Sequence, residues 1–128
     1  MNDIPDATEL LAITRATLLD KLLPRLPEDL RYHALMIANA MIVAAREHSS
    51  GDLAKQAELL RLHELFAEHG EPLSGDALTT GLAHCNRRLV AQIRQGGFDD
   101  KARAALLNHL EQTAAEALAI SNPRALKT

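Results

Sequence analysis

Apolar residues recur along most of this chain at intervals of three or four positions, which is the spacing of one helix face. The pattern is interrupted at four short stretches in which proline, glycine, serine and aspartate cluster. These stretches are Pro24–Pro27, Ser49–Asp52, Gly70–Pro72 and Gly96–Gly97. Residues of these types favour turns, so the pattern predicts five helices joined by short connections.

Capping residues indicate where the predicted helices begin and end. Asp6 precedes Glu9 at the spacing of a capping box, so the first helix is predicted from about Ala7 to Leu23. Pro27 suits the first turn of the second helix, which should continue to about His48. The remaining predicted caps are Asp52 for the third helix, Ser74 or Asp76 for the fourth and Asp99 or Asp100 for the fifth, with Gly70, Gly96–Gly97 and Asn122 as stops.

Residues 34–45 are the most apolar stretch, with Asn39 as the one polar residue among twelve. A helix of this composition is apolar on every side, so we expect the second helix to be buried all round. The run is shorter than the roughly 20 residues that a membrane-spanning helix needs. The expected fold is therefore all-α: a compact single-domain bundle of about five helices with the second helix central. A short lead at residues 1–5 and a tail at 122–128 would lie outside the helices.

Two further helices carry apolar stripes that should face the core. The stripe of the fourth helix comprises Leu78, Leu82, Cys85, Leu89 and Ile93. The stripe of the fifth comprises Leu106, Leu107, Leu110, Ala114, Ala117 and Leu118. The composition agrees with an all-α fold, because the chain has 22 Ala and 23 Leu residues but only 8 Val and Ile residues together.

Charge and cysteine content exclude several classes of protein. The net charge is −3, and acidic residues interrupt every group of basic residues, which argues against nucleic-acid binding. Cys85 is the single cysteine, so no intramolecular disulfide can form, as expected in a reducing cytoplasm. The acidic N-terminal residues do not resemble a secretory signal peptide. We therefore expect a cytoplasmic protein that binds neither nucleic acid nor membrane.

No catalytic, metal-binding or cofactor-binding motif is present in the sequence. Of the six histidines, none lies three residues after a glutamate, the spacing that di-metal helical bundles require. Cys85 has no second cysteine for a zinc site, and its place on an apolar stripe predicts a buried thiol. Each serine lies at a predicted turn or cap. These observations favour a non-catalytic protein without a metal ion or cofactor.

Two groups of polar residues remain as candidates for ligand or partner contact. Tyr32, Asn39 and Arg46 are seven residues apart and share one face of the second helix. Asn39 has three possible roles: a hydrogen bond in the core, a contact across a homodimer, or a contact to a ligand. A buried amide without a partner costs about 1–3 kcal/mol, so a buried Asn39 should be hydrogen-bonded.

The second group is basic and lies on the fourth helix. Arg87 and Arg94 share a face, and Arg88 lies beside them. Arginine forms bidentate contacts with phosphate and carboxylate groups, so these residues could bind a phosphate or an acidic partner surface. Alternatively, they form an exposed basic face that pairs with the acidic third helix of the same chain.

Several motifs resemble an uncharacterised bacterial family of helical domains. They are Tyr32-His33-Ala34, Ala38-Asn39-Ala40, Val43-Ala44-Ala45-Arg46-Glu47, Pro5-Asp6-Ala7-Thr8-Glu9-Leu10-Leu11, Asn86-Arg87-Arg88-Leu89 and Asn122-Pro123-Arg124. Members of that family often carry an aromatic residue after the final Asn-Pro-Arg, where this chain has Ala125.

The resemblance implies a small helical protein with no assigned activity. Genes of this family often lie beside, or are fused to, genes for aminoglycoside-phosphotransferase-like kinases and acyl-CoA dehydrogenases. We therefore expect an accessory or interaction protein, with a kinase-like protein, an acyl-CoA dehydrogenase or a second copy of the chain as partner. The alternative is a domain that binds a small acidic ligand, such as an acyl-CoA or a nucleotide. In that case Tyr32, Asn39 and Arg46 would line the pocket, and Arg87 or Arg94 would lie at its mouth.

Overall fold

The computed structural model describes residues 4–127, so part of the predicted N-terminal lead and Thr128 lie outside the described residues. Within this range the regular structure is entirely helical, which confirms the predicted all-α class. The α-helices are α1 (Ala7–Thr17), α2 (Glu28–Leu65), α3 (Gly75–Arg94) and α4 (Asp100–Ser121). The shorter helical segments are a π-helical turn at Leu18–Leu22 and 3₁₀ turns at Leu23–Arg25 and Pro123–Lys127.

The predicted second and third helices are one continuous helix, α2, so the expected count of five is wrong. The predicted turn at Ser49–Asp52 is helical, and Asp52 is an interior residue and not an N-cap. The Ser50 hydroxyl donates to the Arg46 carbonyl at 2.9 Å, a bond that a helix interior accommodates. One glycine inside a helix costs only about 1 kcal/mol, which the rest of a 38-residue helix can offset.

The end of α2 also differs from the prediction, because Ala67 and not Gly70 has the left-handed backbone conformation, with φ of 54°. The amide of Ala67 donates to the Glu64 carbonyl at 3.1 Å, and the amide of Glu68 donates to the His63 carbonyl at 2.8 Å. This pair of bonds is a Schellman motif. An alanine takes the position that glycine usually occupies, so α2 ends before Gly70.

The other predicted caps are close to those observed. Asp6 accepts a hydrogen bond from the Glu9 amide at 2.9 Å and begins α1. Ser74 is the N-cap residue of α3, and Asp99 caps α4 by accepting from two backbone amides. The α-helical part of α1 ends at Thr17, but the chain stays helical through the π-helical turn Leu18–Leu22, which ends close to the predicted Leu23. Pro24 then prevents a regular α-helix from continuing, because it lacks a backbone amide.

The chain divides into two compact units, with the division between Gly51 and Asp52 inside α2. In the first unit, α1 packs against a stripe of small residues on α2, of which Ala34, Ala38 and Ala45 are buried. The Arg15 guanidinium donates to the Ala38 carbonyl at 3.2 Å. Small residues allow two helix backbones to approach closely, so the alanines determine which face of α2 receives α1.

The apolar run at residues 34–45 is therefore not buried on all sides as predicted. Leu35, Met36 and Ile37 are each exposed by about half, at 51%, 55% and 51%. The physical reason is that the buried stripe occupies only one side of the helix within this unit. The apolar composition of the run favours burial, but composition alone does not show whether a second helix packs against it.

The second unit has a leucine-rich core formed by the C-terminal part of α2, α3 and α4. Its buried members are Leu59, Leu62, Leu78, Leu82, Cys85, Leu89 and Leu106. The predicted stripe of α3 is thus confirmed except at Ile93, which is 44% exposed. Ile93 lies in the last turn of α3, beyond the buried part of the stripe.

The predicted stripe of α4 is wrong for most of its members. Leu107 and Leu110 are 57% and 42% exposed, whereas His109 is only 2% exposed. The face that turns inward carries Leu106, His109, Thr113 and Glu116. Polar contacts to α2, described below, give α4 this orientation.

Candidate functional site

One side of α2 presents apolar residues to solvent in the first unit. We call this surface the α2 face and define it by Tyr32, Leu35, Met36, Asn39 and Val43. Tyr32 is 66% exposed and packs edge-on against the His33 ring, with 5.8 Å between the ring centroids. Asn39 is exposed and Val43 is half-buried. A solvated amide needs no protein partner, so the core hydrogen bond, one of the three roles considered for Asn39, does not apply, and the other two stay predictions.

Arg46 follows Asn39 by two helix turns and is half-buried. It takes part in polar interactions of the folded chain, and its carbonyl accepts a hydrogen bond from Ser50. Tyr32, Asn39 and Arg46 therefore lie along one side of α2 as their spacing predicts, with two of the three open to solvent. Their role as contact residues stays a prediction.

The basic residues of α3 lie in the second unit and have different environments. Arg88 forms an ion pair with Glu68 at 2.6 Å, and its guanidinium lies 4.1 Å from the Phe66 ring centroid. The hydrogen bond from Arg88 lowers the pKa of Glu68. Arg88 thus pairs with an acidic residue of the same chain, as in the alternative stated for this group.

Arg87 and Arg94 are exposed and line a shallow groove of about 530 Å³ together with Asn86 and Val90. The two arginines lie two turns apart on the same face of α3, as their seven-residue spacing predicts. A groove of this kind leaves both guanidinium groups accessible to an anion. Their role in binding stays a prediction.

A polar network that the sequence did not reveal lies between α2 and α4 in the second unit. The Arg61 Nε donates to His109 Nδ1 at 3.2 Å. The Arg61 Nη2 donates to the Thr113 hydroxyl at 3.1 Å and forms an ion pair with Glu116. His109 is the one buried polar residue among residues 4–127, so this network is the main polar feature of the interior.

The network determines the protonation of His109. Arginine is always protonated and can only donate, so Nδ1 must accept and the imidazole proton must be on Nε2. Burial, followed by the positive charge of Arg61, lowers the pKa of His109. The imidazole is therefore neutral near pH 7 and offers one donor, Nε2–H.

A cavity of about 440 Å³ lies beside this network, and we call it the His109 cavity. Arg61, Glu64 and Leu65 line it from α2, and Phe98 closes it from the loop before α4. The remaining wall belongs to α4 and comprises Ala102, Ala105, Asn108, His109 and Gln112. The cavity thus combines an apolar wall with several hydrogen-bonding groups.

A signal for this site existed in the sequence but competed with a stronger one. Leu106, His109, Thr113 and Glu116 have the three- and four-residue spacing of a helix face, yet only the first is apolar. The neighbouring face with more leucine and alanine gave the clearer hydrophobic pattern. Arg61 is distant in sequence, so its contact with His109 could not be predicted from local spacing.

A comparison with models of protein families identifies the family that contains most of this chain. Residues 24–125 match the model of a family described as a domain of unknown function, DUF6285. The chain belongs to the DUF6285 family. No curated protein and no protein of solved structure matches the chain.

The part that matches DUF6285 includes every candidate site described above. The α2 face, the His109 cavity and the Arg87–Arg94 groove all lie between residues 24 and 125. Helix α1 precedes the matched residues, as does the N-terminal motif Pro5–Leu11. The family description names no activity, so it assigns no role to any of these surfaces.

Cys85 and the possible metal ligands of this DUF6285 chain were the remaining candidates for a reactive site. Cys85 is buried in the core, and burial raises the pKa of its thiol, which disfavours the nucleophilic thiolate. Among residues 4–127, no three histidine, cysteine or acidic side chains are grouped so that they could hold a metal ion. In the same residues, no helix has the length and apolar content needed to cross a membrane.

Proposed function

We propose that this chain is a non-catalytic accessory protein that binds a partner protein through the α2 face. The observation that carries this proposal is the exposure of Tyr32, Leu35 and Met36 on one side of a single helix. Scattered apolar residues are normal on a protein surface, but a contiguous group around a helix is typical of interaction sites. Burial of such side chains contributes about 25 cal/mol per Å² of apolar area.

The chemistry of the α2 face indicates the kind of partner that it accepts. None of its five residues is charged, and Asn39 lies near their middle. An apolar helix fits such a surface, because helix ridges can pack between Leu35, Met36 and Val43. The partner helix should also carry a hydrogen-bonding side chain opposite Asn39, since an amide buried without a partner costs about 1–3 kcal/mol.

The family resemblance suggests the identity of this partner. The resemblance implies an association with a kinase-like protein related to aminoglycoside phosphotransferases or with an acyl-CoA dehydrogenase. We propose that the α2 face binds a surface helix of one of these enzymes. The accessory protein would stabilise or regulate the enzyme and would carry out no chemistry of its own.

Co-purification after co-expression with such an enzyme tests this proposal. The unmodified chain should bind the enzyme at micromolar concentration, and Met36→Asp should reduce the affinity at least tenfold. Leu53→Asp is a matched control, because Leu53 is also exposed on α2 but lies outside the α2 face. Binding that both variants weaken equally, or no binding to either class of enzyme, would refute the proposal.

A homodimer is the other occupant that the α2 face could accept. In a symmetric antiparallel dimer, Asn39 would meet its own counterpart across the two-fold axis. Light scattering distinguishes this arrangement from the one that we propose. A dimer mass that Met36→Asp converts to a monomer mass would assign the α2 face to self-association and would contradict the proposed heterologous contact.

The binding of a small acidic ligand is a second candidate function, favoured by the Arg87–Arg94 groove. A ligand that binds only the folded state raises the melting temperature. Acyl-CoAs or nucleotides should therefore stabilise the unmodified chain, and Arg87→Glu should abolish the shift. Arg103→Glu is the control, because Arg103 is exposed on α4 outside the groove. The absence of any shift near saturation would exclude this function.

A further inference from the structure

We propose that the His109 cavity is a binding site for a small, uncharged, planar molecule with a hydrogen-bonding edge, such as an aromatic or heteroaromatic amide. This site is separate from the α2 face, so it is a second activity and does not depend on the proposed accessory role. The cavity volume of about 440 Å³ is within the range of roughly 300–1,000 Å³ that is usual for small-molecule sites.

The first argument is the hydrogen-bonding capacity of His109. Its Nδ1 accepts from Arg61, so the Nε2–H is the donor that remains for a ligand. Among the described residues, no side-chain nitrogen or oxygen that is shut off from solvent lacks a hydrogen-bond partner, so Nε2 of His109 retains some access to solvent. Because His109 lines the cavity, its Nε2–H can stay hydrated there when no ligand is bound. A carbonyl oxygen of a ligand could replace that water and accept the same bond.

The second argument is the charge around the cavity. Glu116 forms an ion pair with Arg61, and the buried His109 is neutral. Glu64 lies at the cavity edge and adds a negative charge. Because Glu116 already compensates the charge of Arg61, an anionic ligand would meet the carboxylate of Glu64 without a matching positive charge. A cationic ligand would be attracted by Glu64 but repelled by the nearby Arg61 guanidinium. An uncharged ligand avoids both costs.

The third argument is the shape and polarity of the wall. Phe98 and Leu65 are half-buried and give an apolar surface against which a flat ring can pack. Asn108 and Gln112 lie one turn apart on α4 and line the same cavity. Each amide can donate and accept, so the pair can match a ligand edge that does both.

Benzamide and benzoate are suitable probes, because they have nearly the same size and differ in charge. Chemical shifts of ¹H–¹⁵N amide resonances should change saturably on addition of benzamide, with the largest changes near Phe98 and His109. The expected Kd is about 1 mM, which is typical of so small a ligand. Benzoate should bind at least tenfold more weakly at pH 7.5.

Two alanine variants locate the binding. Ala105 lines the cavity, whereas its neighbour Ala104 does not, and both are exposed on α4. Ala105→Phe should fill the cavity and abolish the benzamide-induced shifts. Ala104→Phe makes the same chemical change outside the cavity and should leave the Kd within twofold.

Three outcomes would overturn the inference. They are the absence of saturable shifts, equal binding of benzoate, and benzamide binding that Ala105→Phe does not weaken. None of these outcomes affects the accessory role, because the enzyme partner is tested with Met36→Asp and without benzamide. Conversely, failure of the co-purification experiment leaves benzamide binding unchanged.

Discussion

Arg61 should contribute more to stability than any other charged residue of the second unit, and Arg61→Met tests this. The substitution keeps much of the aliphatic stem but removes the guanidinium. It leaves His109 Nδ1 without a donor, in a side chain that is only 2% exposed. An unsatisfied buried acceptor costs about 1–3 kcal/mol.

The other two contacts of Arg61 add a smaller cost. The side chains of Arg61 and Glu116 are 15% and 27% exposed, so the Glu116 carboxylate can partly regain hydration when the guanidinium is lost. Loss of this pair should therefore add about 1 kcal/mol, well below the cost for a fully buried pair. The Thr113 hydroxyl accepts from Arg61 and is half-buried, so it can accept a hydrogen bond from water when the guanidinium is lost. The expected total for Arg61→Met is about 3 kcal/mol.

Urea denaturation followed by circular dichroism measures this loss, with Arg88→Met as the control. The Arg88–Glu68 ion pair is more exposed, at 38% and 44%, so its loss should lower the midpoint much less. In a His109→Leu background, Arg61→Met should cost only about 1 kcal/mol, because no buried nitrogen is left unpaired. Equal midpoints for Arg61→Met and Arg88→Met, or additive effects in the double variant, would refute the reasoning.

Three further predictions concern His109, the two residues Ala67 and Gly96, and Cys85. The pKa of His109 is lowered from its ordinary value of 6.5, so its stabilising contribution is complete above that pH and is lost as the pH falls below it. Urea midpoints should therefore decline more steeply below pH 6.5 for the unmodified chain than for His109→Leu. Ala67 and Gly96 have φ of 54° and 71°, in the left-handed region that glycine adopts more easily than alanine. Ala67→Gly should therefore raise the free energy of unfolding by about 1 kcal/mol, and Gly96→Ala should lower it by about the same amount, as measured by urea denaturation. Cys85 is buried and its pKa is raised, so a thiol reagent at neutral pH should label it at the rate of unfolding, and no faster.

The elements that the sequence predicted well depend on interactions between neighbouring positions. Asp6 and Asp99 cap their helices because a short acidic side chain reaches backbone amides two or three residues away. The stripe from Leu78 to Leu89 is buried because α3 has one clearly apolar side. Such features are local, so the order of residues is sufficient to predict them.

The continuous helix α2 shows where local signals compete. Ser49, Ser50 and Gly51 are frequent in turns, yet each can also occupy a helix at a modest cost. The Ser49 hydroxyl is within 3.1 Å of the Thr8 hydroxyl on α1, and the Ser50 hydroxyl bonds to the backbone of its own helix. The two serine hydroxyls therefore form hydrogen bonds within the helical structure, so they do not favour a turn here. The turn signal nevertheless coincides with the division between the two compact units.

The two places where local rules fail most clearly are also two of the three candidate sites. On α4, a histidine is buried while Leu107 and Leu110 stay exposed, and the hydrogen bond from Arg61 partly compensates the lost burial of the leucines. Exposure of Leu35 and Met36 on α2 is likewise unfavourable for a chain in isolation. Proteins usually retain such inconsistencies where function requires them. His109 beside its cavity supports the binding of a small ligand. The exposed apolar side of α2 supports the binding of another protein, so the two exceptions to the local rules favour two different kinds of binding.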